Sequence, residues 1–291
     1  MTTMENQSVL NKYKRQPKIY LVLPSGGAFY SSNPMEKTGS GELPIYSMTA
    51  KDELMMKTPD ALMSGEATVD VIKSCCPLID DPWSMPSIDL DAVLIAIRIA
   101  TYGERMELQV PIRYYEEGDL KVGNETIEID LRTILDKMQG KTWNSIITHG
   151  DLKFHVKPLS YKETTSFFMT TFENQRLSQV MQDTKIDEVQ KLQAFKEGFK
   201  KLSQMTLDMV ISNVTEIETP EGTESNIQAI KQFFETTDKD TFTAVQKGLE
   251  HLKEYWSTPN TRFQVPADYV EKGAESVIDV PMVFDNASFF A

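Results

Sequence analysis

The sequence predicts an α+β protein, mainly helical, with two β-hairpins. Three observations carry that expectation. Ile186, Val189, Leu192, Phe195, Phe199, Leu202, Met205 and Met209 recur at spacings of three and four, which lays one apolar stripe on a helix over about 186–211. Met106, Leu108, Val110, Ile112 and Tyr114 alternate with Glu107, Gln109, Pro111 and Arg113, the period of a half-buried strand. QVPIRYYEEGDLKV (109–122) then returns as QVPADYVEKGAESV (264–277) with seven of fourteen positions identical. Each copy runs into a second alternating stretch, TIEIDL or SVIDVPMVF. A duplication or a shared hairpin design accounts for this better than coincidence does.

In chain order, residues 1–16 read as a flexible arm. PKIYLVL is an apolar strand-like run that stops at the turn cluster Pro24-Ser25-Gly26-Gly27. Thr49 with Asp52 and Glu53 signals a helix cap before KDELMMK. Thr58-Pro59-Asp60 supplies a cap, a first-position proline and a first-turn acid for a second helix. Ser87 opens a third, IDLDAVLIAIRIATYG, which is apolar nearly all round, belongs in a core and ends at Gly103. Beyond the first alternating strand, Gly123-Asn124 reads as the turn of a long-looped hairpin, and Pro111 marks a strand edge. A short helix over 133–138 and the strand LKFHVKPL follow. Residues 160–256 are mostly helical: Ser160 and Glu163 form a capping box, VTEIETPEG is a strand and turn, and Ser225 with Gln228 caps a helix before TFTAVQKGLEHLKEYW. The division expected is an N-terminal helical module over 17–140 and a C-terminal one over 141–291, each closed by a hairpin.

Composition narrows the function. At 291 residues with 40% hydrophobic and 25% charged residues, the chain has an ordinary globular composition. LDAVLIAIRIA is too short for a membrane span and is broken by Arg98. The polar start carries no signal-peptide core, which points to the cytosol. Cys75 and Cys76 are the two cysteines, too few for a disulfide framework. A net charge of −13 argues against general nucleic-acid binding. One basic cluster, Lys12, Lys14, Arg15 and Lys18, reads as a solvated arm.

Chemistry-bearing spacings are missing. His149, His155 and His251 form no metal pair, and no CxxC is present, so no metal or other cofactor is expected. PSGGAF lacks the Lys-Ser/Thr of a phosphate loop. Fifteen methionines include Met48, Met55, Met56 and Met63 in one region. Thioethers fill cores or make adaptable binding surfaces. The chain reads as built for contact rather than turnover. The alternative is an enzyme of unrecognised type that uses one of the histidines as general base.

PSGGAFY, GELPIYSMTAKDELMMKTPDALMSGEATVDVIKSCC and IDLDAVLIAIRIATYG together resemble the baseplate hub assembly proteins of T-even-type contractile-tailed phages. The resemblance covers residues 17–131. It implies tail morphogenesis in the host cytoplasm, as assembly chaperone or as hub component, with other tail and baseplate hub proteins as partners; a homo-oligomer is left open. Many members of that family carry a CxxC zinc-ribbon-like hairpin after the TYG, and some carry a second one near a C-terminus ending in Phe-Phe. This chain has QVPIRYY and QVPADYV at those places, so the resemblance implies two ribbon-like modules without metal. Expected partner-binding residues are Met48, Met55, Met56 and Met63 in the methionine block, and Val110, Tyr114, Val265 and Tyr269 in the hairpins. Phe289 and Phe290 either anchor in a partner pocket or pack back on the second hairpin.

Overall fold

The computed structural model describes residues 13–57, 64–181, 187–282 and 289–290. The expected helix start at Thr58-Pro59-Asp60 and most of the expected arm lie outside these residues.

Local chemistry sets the first elements. Strand β1 (Ile19–Leu21) pairs antiparallel with β2 (Leu43–Ile45), and Ile19, Leu21, Leu43 and Ile45 all point inward. Thr49 starts α1 (Ala50–Met55) through a reciprocal cap: its hydroxyl accepts from the Asp52 amide, and the Asp52 carboxylate accepts from the Thr49 amide at 2.8 Å. Helix α2 (Glu66–Cys75) packs beside α3 (Ser87–Tyr102), whose residues Ala92 to Ile97 are all buried. A helix apolar on every side has to be enclosed. It stops at Gly103, whose φ of 97° suits a residue without Cβ.

The chain then forms β3 (Arg105–Glu116) and β4 (Asp119–Asp130), paired from Arg105↔Asp130 to Glu116↔Asp119. Asp130 caps α4 (Leu131–Met138) by accepting from the amides of Arg132 and Thr133. Met106, Val110, Ile127 and Ile129 on the near half of the hairpin join the buried faces of β1, β2, α2, α3 and α4 in one core.

A second core lies under a four-stranded antiparallel sheet in the order β5 (Ile146–His149), β6 (Leu152–Val156), β7 (Val214–Thr219), β8 (Gly222–Glu224). Between β6 and β7 the chain makes a helical excursion, α5 (Tyr161–Met181) and α6 (Glu188–Asn213). Ser160 and Glu163 make the expected capping box for α5. Helices α7 (Ile227–Thr236) and α8 (Lys239–Trp256) cover the sheet, with Phe154, Ile217, Ile230, Phe234 and Val245 between them. The α7 cap is Asn226, one residue beyond the expected Ser225. The chain ends with β9 (Thr261–Gln264), the short α9 (Ala267–Val270) and β10 (Val277–Val280). Phe263, Ile278, Val280, Met282, Phe289 and Phe290 from this last stretch pack on the first core.

The two cores are tied together. Pro86 bridges to Ser160, the Tyr161 amide donates to the Met85 carbonyl at 2.8 Å, and Trp83 stacks on Tyr161. Thr258 donates to the Asp91 carboxylate, and Trp143 packs against both Phe29 and Trp256.

A mainly helical chain with two ribbon-like hairpins is therefore not what forms. Ten strands in four small antiparallel sheets stand beside nine helices among the described residues. Pairs such as Ile19–Leu21 with Leu43–Ile45 are too short to show a period in sequence. Neither hairpin is a zinc-ribbon module. The first is an unbroken twelve-residue ladder, shaped by main-chain hydrogen bonds and not by ligand-bearing turns. Its turn is Glu117–Gly118, and Gly123-Asn124 lies inside β4. In the second, a helical turn begun by Pro266 separates two four-residue strands.

Candidate protein-binding surface

The near half of the β3–β4 hairpin rests on the first core, and one face of its far half leaves Tyr115, Leu120 and Val122 exposed. Glu117 and Gly118 have φ of 56° and 86°. Two successive positive-φ residues make the primed turn whose twist suits a hairpin.

The second copy of the repeated phrase lies against the first. The Tyr115 amide donates to the Lys272 carbonyl at 2.8 Å. The rings of Tyr114 and Tyr269 meet edge to face with centroids 5.1 Å apart, and the Lys272 ammonium sits 5.3 Å from the Tyr114 ring. Lys121 and Lys272 both donate to Glu116, at 2.6 and 3.1 Å. Those two bonds hold the Glu116 carboxyl below its usual range. Desolvation, then the Glu125 carboxylate, pushes the Tyr269 phenol up. A Cβ on Gly123 would fall 2.9 Å from the Tyr269 ring, so the glycine permits the close approach.

Among the expected contact residues, the structure brings Tyr114 and Tyr269 together, both half-buried. Val110 and Val265 are buried. Met48 and Met56 are buried in the first core, Met55 is half-buried, and Met63 lies outside the described residues. Phe289 and Phe290 are both buried on the first core. The Arg98 guanidinium lies 5.6 Å from the Phe289 ring and 5.1 Å from Tyr102, and the Tyr102 hydroxyl donates to the Phe290 carbonyl. Leu120, Val122 and Tyr115 are surface residues the sequence reading passed over. Leu120 and Val122 alternate out of phase with Ile127 and Ile129, so they lie with Tyr115 on the opposite face of the ladder from the core.

The remaining chemistry is held in place by the fold. Asp89 is wholly buried and accepts from the Ser25 amide, the Ser25 hydroxyl and the Tyr30 hydroxyl at 2.8, 2.6 and 3.0 Å, which pins the PSGG turn to α3. Burial pushes its carboxyl up to about 6 against these bonds. Arg15, read as part of a solvated arm, donates to the carbonyls of Ser47 and Ser74 instead and lies 3.8 Å from Asp52. Burial pushes the Cys75 thiol up to about 11 and Cys76 upward as well, which makes them packing residues and poor nucleophiles. His149 and His155 lie on β5 and β6 and His251 on α8; His155 faces Glu218 at 3.4 Å. Among the described residues, no three His, Cys, Asp or Glu side chains are placed to hold a metal ion, and no helix is long and apolar enough to cross a membrane.

No curated protein and no solved structure matches the chain. A family model does, that of the T4 bacteriophage base plate protein, over residues 17–262. The match runs through both cores and stops within β9. The chain belongs to the T4 bacteriophage base plate protein family.

Proposed function

We propose that this chain works in assembly of the baseplate hub by binding other tail proteins, as an assembly chaperone or as a hub component, and not as an enzyme. The resemblance of residues 17–131 to hub assembly proteins supports the hub assignment. The observation that carries the binding mode is the outer edge of β4. Strand β3 is bonded to β4 on one side and reaches Lys272 on the other, whereas the far edge of β4 pairs with no strand among the described residues. An unpaired edge with exposed Leu120 and Val122 beside it is a template for a partner strand. Tyr114, Tyr269 and Met55, which keep part of their surface, are the contact residues best placed to assist.

The test is genetic and then chemical. Deleting the gene from the phage that encodes the chain should leave lysates without complete baseplates; normal baseplates would reject the role. Mass spectrometry of purified virions then separates its two forms. Presence in lysates but not in particles identifies a chaperone, and stoichiometric recovery from particles identifies a component.

A further inference from the structure

The geometry points to a second docking surface, on α6, for an acidic amphipathic helix of another protein. It is separate from the β4 edge and stands without it. Leu192, Phe195, Phe199 and Leu202 follow one another at spacings of three, four and three, and they are 56%, 53%, 65% and 38% exposed. Such a seam normally meets another helix. Among the described residues α5 meets α6 along a different face, where Lys201 pairs with Glu173 and Thr171 touches Met205. The Phe195 and Phe199 rings stack on each other at 6.4 Å and stay in solvent. With roughly 150–250 Å² per large aromatic side chain, the four residues offer a patch on the order of 400 Å², comparable with the largest patches on soluble monomers.

Charge selects the occupant. The chain carries −13 overall, but this part of α6 is basic. Lys201 is engaged by Glu173, and the local acid Glu197 accepts from Gln193. Lys196 and Lys200, one turn apart, make no ion pair among the described residues. The positions flanking the seam are Lys196 and Gly198 between Leu192 and Leu202, and Ser203 just after Leu202. A second copy seated on the seam therefore offers Lys196 no counter-charge in either direction. A helix with leucines on its seam and glutamates beside them does.

Two labelled peptides test this on the full chain by fluorescence anisotropy: one with leucine seams flanked by Glu, and the same peptide with every Glu changed to Lys. The Glu peptide should bind, more weakly as salt is raised, and the Lys peptide should not. Lys196→Glu with Lys200→Glu should weaken the Glu peptide about tenfold or more, and Phe199→Ser should weaken it as well. Equal binding of both peptides, binding of neither, or indifference to the lysine changes overturns the proposal. So does a dimer in sedimentation that Phe199→Ser disperses, since the seam would then be filled by a second copy.

Discussion

Tyr114 and Tyr269 hold the same place in two copies of one phrase, and their rings meet edge to face 5.1 Å apart. The copies nevertheless fold differently: one is continuous strand, the other a strand, a helical turn and a strand. Their likeness serves mutual packing, with the Tyr115 amide on the Lys272 carbonyl closing the joint. An aromatic pair of this kind contributes beyond its buried area. Tyr114→Ala and Tyr269→Ala should each lower Tm by about 2–4 °C, and the double variant should lose less than the sum. Full additivity in thermal unfolding would mean the rings do not interact.

Gly123 offers an independent probe of the same joint. An added Cβ would meet Tyr269 at 2.9 Å, and the far end of the ring has to move. Gly123→Ala should destabilise the native chain by about 1 kcal/mol, the lower range for overpacking. In a Tyr269→Ala background the substitution should be close to neutral. A cost that persists without the tyrosine would place its origin in the strand itself.

Glu117 sits in the left-handed region at φ 56°, where a residue with a long side chain pays a conformational cost and asparagine pays less. Glu117→Asn should therefore stabilise by about 0.5–1 kcal/mol, read as a higher urea midpoint with an unchanged slope. A fall in the midpoint would show that the Glu117 side chain makes a contact worth more than the strain.

These positions also mark what was legible in the sequence. Capping boxes at Thr49/Asp52 and Ser160/Glu163 are local, three-residue chemistry, and both formed where they were read. The all-apolar run of α3 could only be a core helix. The hairpin turn was misplaced because Gly123-Asn124 is the more familiar turn dipeptide, while Glu117 adopts a conformation its residue type disfavours. The stripe on α6 was visible, but periodicity states that a face is apolar and not what covers it. The Tyr114–Tyr269 contact joins distant parts of the chain and leaves no local trace. The repeat hinted that the two segments were related, not that they would touch.

Asp89 gives a pH signature with a definite sign. Its carboxyl titrates near 6 in the folded chain, raised from an ordinary 3.8 by burial, so the native state holds a proton that the unfolded state has lost between those values. The stabilisation is fully present below about 4 and is lost as pH rises through about 6. At 1.36 kcal/mol per pKa unit, that amounts to about 3 kcal/mol. Asp91, also raised by burial, adds in the same direction. Carboxyls held low by hydrogen bonds, such as Glu116 and Glu218, act in the opposite sense and below the ordinary carboxylate value, which leaves the window from about 4.5 to 6 to Asp89 and Asp91. Urea unfolding should show stability falling across that window, and Asp89→Asn should remove most of the slope. A slope unchanged in the variant would assign it elsewhere.

Phe289 decides between the two readings of the Phe-Phe end. Its side chain is fully buried against the first core, its ring is edge-on to Phe290, and the Arg98 guanidinium lies over it. Removing a large buried aromatic side chain costs the transfer free energy of its atoms and leaves a cavity. Phe289→Ala should destabilise the isolated chain by about 3 kcal/mol. It should also strand the Arg98 guanidinium, whose Nε and Nη1 have no hydrogen-bond acceptor among the described residues. Phe289→Leu, which keeps most of the volume, should cost about half as much. If thermal unfolding of the isolated chain is unmoved by Phe289→Ala while binding to a hub partner is lost, the ring is a partner anchor and its seat on the first core is dispensable.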